Sequence, residues 1–389
     1  MTMDFTPNQA QIALGTLTGQ ILHDRAGAEQ LRQLDQRLLG GGDRFDPQLW
    51  KVLAEAGVLA AALPRSAGGE GHGLLEQCSV LIELGRALAP VPYLPTIAMA
   101  GSALARFGTE QQQVRWLTPA LDGQLVLAVA LTEPGGTDLL TPSTRAEPTP
   151  AGWSLTGTKT TVQAGPLAGV ILVSASTANG PALFAVTTED AGVRISRQQM
   201  IDHDDAGWLE LTDVPLPADR RIGPVAGAES TPAWVLRRGI VALCAYQLGV
   251  LERALEQTAE YASTRTQFGR AIGSFQAVGQ RLADAYIQVQ ALRLAMWNAA
   301  WMLDAGPPHD PETSDPETSD PAGAIATAKF WAAEAGHYVA HTAVHIHGGT
   351  GLDVEHQVHR YFLAAKRAEF EFGGATAQLR TLGAILAQE

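Results

Sequence analysis

The sequence predicts an α+β protein with an N-terminal helical domain over residues 1–124, a middle antiparallel β domain over 125–228 and a C-terminal helix bundle over 229–389. Two changes of periodicity predict this order. Apolar residues recur at three-and-four spacing up to about residue 124, short apolar or alternating runs follow, and long Ala-rich helical segments begin near residue 229. A length of 389 residues suffices for two or three domains.

The N-terminal segment carries local signals for the start and end of helices. Asp46 is a predicted cap, Pro47 stands at the first helical position, and Gly57 is a predicted stop. Two further helices are predicted at LLEQCSVLIELGRALA (74–89) and TEQQQVRWLTPALDG (109–123). The glycines of ALPRSAGGEGHG (62–73) predict a loop.

The middle segment reads as strands because apolar or alternating runs are short and turn residues separate them. The runs are LVLAVAL, GWSLTGTK, VILVSAS, ALFAVTT, VRISRQQ and GWLELTDV. Their close spacing predicts antiparallel pairing.

The C-terminal segment predicts a bundle of four or five long helices joined by short loops. One stretch interrupts it, GPPHDPETSDPETSDPAG (306–323), which repeats PETSD in tandem. It is acidic, rich in Pro, Ser and Thr, and has nothing to bury, so we predict a mobile interhelical loop there.

Composition narrows the class of partner. The net charge of −13 argues against nucleic acid, although local basic groups still allow an anionic small ligand. We expect no membrane span and no secretory signal, since no sufficiently long apolar run and no basic start followed by an apolar run occurs. Cys78 and Cys244 lie in apolar helical contexts without a CxxC motif. Two buried free thiols are therefore expected, as in a cytoplasmic protein.

Histidines and glycines concentrate in VHIHGGTGLDVEHQVHR (344–360). His337, His341 and His345 share a helix face, which could hold a metal, but no HExxH motif accompanies them. The turn at Gly348 and Gly349 offers backbone N–H groups and room for close approach, which suits a phosphate. Glycine is also the usual residue at the end of a helix.

Two other stretches carry residues suited to a cofactor. In YASTRTQFGRAIGSFQ (261–276), Arg265, Phe268 and Gln276 could hold a pyrophosphate and a planar ring, or could simply form a capped interhelical corner. In ALTEPGGTD (130–138), Thr132 and Thr137 line a glycine turn after a strand, which is either a cofactor rim or a plain strand end.

Together these stretches resemble the acyl-CoA dehydrogenase family along nearly the whole chain. LWKVLAEAG, AGGEGHG, ELGRALAP, ALTEP, LTDVPLP…RRIG, RTQFG…FQ and HGG stand in the family's order and spacing. The resemblance implies an acyl-CoA dehydrogenase-like fold and tetramers with one FAD per active site. It also implies that an acyl-CoA loses its α hydrogen to a carboxylate and its β hydrogen as hydride to the flavin. Electrons then pass to an electron-transfer flavoprotein.

The resemblance also assigns roles to the residues above. Thr132 would line the flavin ring and Thr137 would lie near the pantetheine. Arg265, Phe268, Gln276 and the His345–Gly349 turn, including Gly348, would clasp the FAD of a neighbouring subunit. The implied assignment for the histidine-rich stretch is thus half of a phosphate cradle.

Several positions depart from the family pattern. The family's usual C-terminal Glu corresponds to Gly373, and the alternative Glu on the first bundle helix corresponds to Gly239. Glycine cannot accept the α proton, so the catalytic residue is unknown. The family's Trp-Ile-Thr at the flavin is replaced by Thr160, Thr161 and Val162. The turn TEPGGTD is one residue shorter than usual, His345 stands where the family has Gln, and the alignment of Arg238 is uncertain by one residue.

Three functions remain open from the sequence. The chain could be the base-deficient partner subunit of a mixed oligomer, as in actinobacterial relatives that pair unlike chains, including enzymes of steroid side chains. It could be a self-sufficient dehydrogenase with a displaced base, Glu371 or Glu369, unless both are solvated carboxylates in the first turn of a helix. It could also be a non-catalytic acyl-CoA-binding scaffold, which the RTQFG corner argues against.

Overall fold

The computed structural model describes residues 5–40, 42–136, 138–224, 230–305, 321–354 and 356–387. Its contacts divide the chain into two compact units. One unit contains the described residues of Met1–Gln33, Leu74–Ala89 and Ile240–Glu389 and is almost entirely helical. The other contains those of Leu34–Gly73 and Pro90–Gly239 and includes the large β-sheet.

The N-terminal third is helical, as predicted. Its helices are α1 Gln9–Arg25, α2 Ala28–Leu39, α3 Pro47–Glu55, α4 Leu74–Ala87, α5 Ser102–Phe107, α6 Glu110–Gln112 and α7 Thr118–Leu121. Turns of π-helix span Leu94–Gly101 and Gln113–Leu117. The predicted start of α3 is confirmed, because the Asp46 carboxylate accepts hydrogen bonds from the N–H groups of Gln48 and Leu49, both 3.0 Å long. Gly57 ends this helix region with φ of +77°.

Eight strands form one sheet in the second unit. They are β1 Leu127–Ala130, β2 Arg145–Thr149, β3 Gly152–Gln163, β4 Val170–Thr177, β5 Gly180–Val186, β6 Val193–Gln199, β7 Asp205–Pro217 and β8 Arg221–Ile222. Their order is β6-β7-β3-β2-β4-β5-β8, with β1 against β4. The sheet is mixed rather than purely antiparallel, because β1 and β2 both run parallel to β4. Strand β3 lies between β2 and β4 along the chain and runs antiparallel to β2. The chain therefore reverses twice between β2 and β4, which lets these two strands run parallel.

The C-terminal third contains α8 Thr231–Thr264, α9 Gln276–Ala305, α10 Ala322–His347, α11 Gln357–Phe370 and α12 Ala375–Leu386. Strands β9 Thr266–Gln267 and β10 Arg270–Ala271 form a small hairpin between α8 and α9. Within the predicted loop 306–323, residues 306–320 lie outside the described residues. Its last two residues are helical, because α10 begins at Ala322 directly after Pro321.

Helix α8 is long and apolar. Among the described helices it alone satisfies the length and composition of a membrane span, with mean hydropathy 1.3 over its most apolar window. However, 78% of that window is buried inside the protein, as in the core helix of a folded domain. Both cysteines are free and buried, as predicted, and burial raises the pKa of Cys244 to about 12.

Helices α4 and α8 approach each other through glycine. A Cβ added at Gly249 of α8 would overlap the carbonyl oxygen of Ile82, and one added at Gly85 of α4 would overlap that of Tyr246. Because these obstacles are backbone atoms, a side chain at either position forces the helices apart.

We therefore expect Gly249→Ala to lower the free energy of unfolding by about 1–3 kcal/mol, the usual cost of overpacking. The matched control is Gly383→Ala in α12, where no described atom would come within 4 Å of the added Cβ. The control should be neutral or stabilising by up to about 1 kcal/mol, because alanine favours helix. Urea unfolding monitored by circular dichroism measures both, and equal effects would contradict the close-packing argument.

Candidate active site

A buried ion pair fixes the turn that follows β1. The ammonium of Lys159 on β3 lies 2.8 Å from Glu133 Oε1 and 2.9 Å from Ser174 Oγ. Glu133 also accepts hydrogen bonds from the N–H groups of Ser143, at 2.6 Å, and Thr144, at 2.8 Å. The side chain of Lys159 is fully buried and that of Glu133 is almost so. One carboxylate therefore connects the turn, the segment before β2 and strand β3.

The surroundings of this pair shift both of its pKa values. Burial raises the pKa of Glu133, but hydrogen bonds from Lys159, Thr144 and Ser143 outweigh burial and lower it to about 2. Burial lowers the pKa of Lys159 to about 8, although Glu133 partly offsets that effect. The Glu133 carboxylate is consequently ionised at neutral pH, and its hydrogen bonds stabilise the turn.

Thr132 lies in this turn, half-buried, next to the bulged part of β3. Its carbonyl oxygen accepts a hydrogen bond from the N–H of Thr160, 3.0 Å long. The structure thus places Thr132 beside Thr160 on β3. Thr137, the second hydroxyl predicted in this turn, lies outside the described residues.

The three residues that replace the family's Trp-Ile-Thr make internal contacts. The Thr160 hydroxyl and the Thr161 N–H both lie within hydrogen-bond distance of Gln198 Oε1, at 3.1 and 2.9 Å. Thr161 has φ of +50°, at the irregularity that interrupts the pairing of β3 with β7. Val162 is buried in the core of the sheet. Unlike Trp-Ile-Thr, the segment Thr160–Val162 therefore has no indole ring at its first residue and no hydroxyl at its third.

The predicted corner at RTQFG is an exposed hairpin in the helical unit. Strands β9 and β10 flank Phe268 and Gly269, which have φ of +52° and +77°. Phe268 is 91% exposed, which is unusual for a large apolar side chain held in a strained left-handed conformation. Arg265 is also exposed, and the Arg270 guanidinium lies 4.1 Å from the ring centre of Phe275. The hairpin thus presents an aromatic ring and cationic groups to solvent.

The second predicted element, the glycine turn, follows the last residue of α10. Gly348 has φ of +62°, and no described atom beyond their own chain neighbours would lie within 4 Å of a Cβ at Gly348 or Gly349. His345, one turn earlier, is exposed, and so is Gln276 at the start of α9. The turn is open to close approach by a ligand, as a phosphate site requires.

An aromatic contact joins these two elements. The ring of Tyr261, in the last turn of α8, stacks on His347, with centroids 4.3 Å apart and planes inclined by 22°. His347 is buried, and its Nδ1 lies 2.8 Å from the carbonyl oxygen of Ala343. Burial lowers the pKa of His347, which favours the neutral ring. No local pattern in the sequence predicts this contact, because Tyr261 and His347 lie at the ends of two helices that are distant in the chain.

The remaining histidines of α10 belong to a different cluster. The rings of His337 and His341 lie 4.4 Å apart, and His337 Nδ1 lies 3.1 Å from Lys366 Nζ and 3.4 Å from Glu369 Oε1. Within the part of the chain that the structure describes, no group of three His, Cys, Asp or Glu residues is arranged to hold a metal ion. The cluster reads as an ion-pair network between α10 and α11.

The first glycine at a base position, Gly373, lies in a tight turn between α11 and α12. Gly373 has φ of +92°, and Phe372 before it has φ of +55°. A Cβ at Gly373 would lie 3.1 Å from both Ala377 Cβ and Gln378 Nε2. Any L residue at position 373 would therefore be strained by backbone conformation and crowded by its neighbours.

The second glycine at a base position, Gly239, is buried in α8. A Cβ there would lie 2.8 Å from the terminal methyl of Met99. The guanidinium of the preceding residue, Arg238, lies 4.9 Å from the ring centre of Trp234. A side chain at position 239 would therefore have to displace the flexible end of Met99.

Neither alternative carboxylate is solvated in a first turn, so that expectation is wrong. Helix α11 continues to Phe370, which puts Glu369 in its last turn and Glu371 just after its end. Glu369 is buried and pairs with Lys366, while Glu371 Oε2 lies 3.9 Å from Arg367 Nε. The helix extends this far because the chain-breaking glycines come only at 373 and 374. Both carboxylates therefore already have cationic partners.

The order of helical, β and helical segments is that of an acyl-CoA dehydrogenase-type oxidoreductase. Sequence profiles agree: the acyl-CoA dehydrogenase N-terminal, middle and C-terminal domains match residues 25–124, 128–214 and 232–387. The chain belongs to the acyl-CoA dehydrogenase family of oxidoreductases.

Three similar proteins match the chain over nearly their full length. The chain is 46% identical over 386 residues to acyl-CoA dehydrogenase FadE27 of Mycobacterium tuberculosis, covering 99% of both chains. Its structure is similar to a chain of the ChsE4–ChsE5 complex from Mycobacterium tuberculosis, with TM-score 0.90, 46% identity and all of both chains covered. A variant of the Tcur3481–Tcur3483 steroid ACAD gives TM-score 0.86 at 39% identity, covering 97% of this chain and 98% of that one.

Proposed function

We propose that this chain is the base-deficient partner subunit of a hetero-oligomeric, FAD-dependent acyl-CoA dehydrogenase. The observation that carries the proposal is the state of the two base positions. Gly373 lies in a turn with φ of +92° and Gly239 is buried in α8, and glycine carries no proton acceptor at either site. Abstraction of an α proton needs a positioned base. The working base of the complex then belongs to a homologous partner chain.

The helical unit fits a role toward a neighbour's FAD. The hairpin offers Arg265 and Arg270 for the pyrophosphate and the exposed Phe268 ring for a planar group, and the turn at Gly348 and Gly349 leaves its backbone accessible. By contrast, the β-sheet segment at Thr160–Val162 fits the flavin ring poorly, because its polar groups bond to Gln198 and Val162 is in the core. When bound, FAD supplies the acceptor for the hydride that leaves the acyl chain.

The relatives support pairing with an unlike chain. Two of the similar structures bear the names of two-component assemblies, ChsE4–ChsE5 and Tcur3481–Tcur3483, and the second is called a steroid ACAD. We extend the proposal to a tetramer built from this chain and a homologous acyl-CoA dehydrogenase. Its substrate is an acyl-CoA with a fatty or steroid-type acyl group, and its electron acceptor is an electron-transfer flavoprotein.

The main alternative is a self-sufficient dehydrogenase that uses Glu369 or Glu371. Its support is their closeness to Gly373, but Lys366 and Arg367 already engage these carboxylates. A scaffold that binds acyl-CoA without flavin is the third candidate. The scaffold function does not explain Phe268, whose backbone is strained and whose ring is exposed. Both features cost stability in a free chain.

Flavin content distinguishes the three. We expect the chain expressed alone to hold little FAD, and the complex with its homologous partner to hold about one FAD per two chains, since a ligand held between subunits is retained only by the assembly. Absorbance of the released flavin against total protein measures the ratio. One FAD per lone chain would favour the self-sufficient enzyme, and a colourless complex would favour the scaffold.

Restoring a carboxylate at the usual position should not create a working site. We expect Gly373→Glu to leave the turnover of the lone chain at background, because φ of +92° strains the new residue and the segment at Val162 still holds the flavin poorly. Dye-coupled oxidation of acyl-CoA measures turnover, and Gly383→Glu on the exposed face of α12 is the control. A large gain from Gly373→Glu would contradict the partner-subunit role.

A further inference from the structure

Three rings form a junction beneath the hairpin and the glycine turn. Tyr261 stacks on His347, and the ring of His356 lies 5.2 Å from that of His347 at an angle of 57°. Tyr261 belongs to the last turn of α8, His347 is the last residue of α10, and His356 caps the start of α11. The junction thus ties three helix ends together at the places where the exposed turns begin.

His347 is fixed from several directions. Its Nδ1 donates a hydrogen bond to the carbonyl oxygen of Ala343, 2.8 Å away, and this bond fixes the orientation of the ring. A Cβ at Gly351 would lie 3.0 Å from His347 Cβ and from Val344 Cα, so the turn after Gly348 packs directly against the base of this side chain. The backbone of the glycine turn therefore lies close to the Cβ from which the ring extends.

Tyr261 has the same relation to the hairpin. The N–H of Arg265 donates to the carbonyl oxygen of Tyr261, and the N–H of Ile272 donates to that of Arg265, each at 2.8 Å. These bonds connect the backbone of Tyr261 to Arg265 and Ile272, the residues that flank the hairpin strands. The stack is a side-chain contact between the end of α8, which leads into the hairpin, and the end of α10, which leads into the glycine turn.

We propose that Tyr261 and His347 are positioning residues whose stacked rings hold the hairpin and the glycine turn in one mutual arrangement. Both turns can then meet the same anionic cofactor on a neighbouring subunit. The identity of that cofactor rests on the proposed function, whereas the coupling between the turns rests on the ring contact alone. A stacked pair contributes about a 2- to 10-fold factor in an equilibrium constant.

Hydrogen exchange tests the coupling without reference to flavin. In the full-length protein, His347→Leu should speed backbone exchange in the hairpin at 265–272, and Tyr261→Leu should speed it at 348–352, each by about 2- to 10-fold. His347→Phe, which keeps a ring, should restore the slow exchange in the hairpin. His72→Leu, at an exposed loop histidine, is the matched control and should change neither segment. Exchange that changes only next to the substituted residue would overturn the proposal.

Flavin retention supplies the second measurement. In the complex with the homologous partner, each Leu variant should weaken FAD binding by about 2- to 10-fold, and the double variant should be no worse than either single one, because both remove the same contact. Additive losses, or a His347→Phe variant as weak as His347→Leu, would refute positioning by the ring. Because Tyr261 is only half-buried, Tyr261→Leu remains informative even if His347→Leu does not fold. A complex without FAD would refute the proposed function while leaving the exchange result intact.

Discussion

Lys159→Met should lower the free energy of unfolding by about 3–5 kcal/mol, the cost of leaving a buried charge without its partner. Lys159 is fully buried, and its loss removes the cation that faces Glu133 and one donor to that carboxylate. Glu133 would remain bonded to Ser143 and Thr144 but would carry an uncompensated charge beside the core of the sheet. Chemical denaturation at pH 7 measures the loss.

Two controls identify the ion pair as the cause. Arg194→Met removes an exposed partner of Glu210, 4.0 Å away, and should change stability by about 1 kcal/mol or less. The double change Lys159→Met with Glu133→Gln should recover part of the loss, because a neutral amide replaces the unpaired charge. A double variant as unstable as the sum of its single variants would contradict the role of this pair.

The same pair predicts the response to acid. The folded pKa of Glu133 is about 2, below its usual 4.5, so the folded state favours the ionised form. The stabilisation is therefore complete above about pH 4.5 and is lost as the pH falls toward 2. In Lys159→Met this part of the acid sensitivity should shrink, because only the hydrogen bonds from Ser143 and Thr144 would still lower the pKa of Glu133. Melting temperatures between pH 2 and 5 measure the difference.

Removing the carboxylate base from the homologous partner chain should lower turnover of the complex by about 10²- to 10⁴-fold, the usual contribution of a general base. By contrast, Glu369→Gln and Glu371→Gln in this chain should leave turnover within about twofold. The reason is that Lys366 and Arg367 already hold these two carboxylates, and the proposal assigns proton abstraction to the other chain. Steady-state oxidation of acyl-CoA by the complex measures all three variants.

The control for this comparison is Glu110→Gln, an exposed carboxylate at the start of α6. It should behave like the two Gln variants of this chain. A loss of 10²-fold or more in Glu369→Gln or Glu371→Gln, with an unchanged thermal midpoint, would instead identify a displaced base and favour the self-sufficient enzyme.

The buried ion pair of Lys159 leaves a partial signal in the sequence. Lys159 shares the inward face of β3 with Leu155, because residues four apart on a strand point the same way. A lysine at such a position requires a buried partner. Its partner, Glu133, lies 26 residues earlier in a loop, and only the paired strands reveal it. No comparable signal existed for the stack of Tyr261 on His347, since it joins two helix ends that are distant in the chain.

By itself, the sequence determined the order of helical and β segments, the cap at Asp46, the free buried cysteines and the absence of a carboxylate at positions 239 and 373. These features depend on the identity of a residue or on neighbours within one or two turns of chain. Only the tertiary structure decided the parallel pairing of β1 with β4, the partners of Glu369 and Glu371, and the ring junction at His347. Each of these depends on how closely two remote segments approach and in which direction they run, and local periodicity carries no information about either.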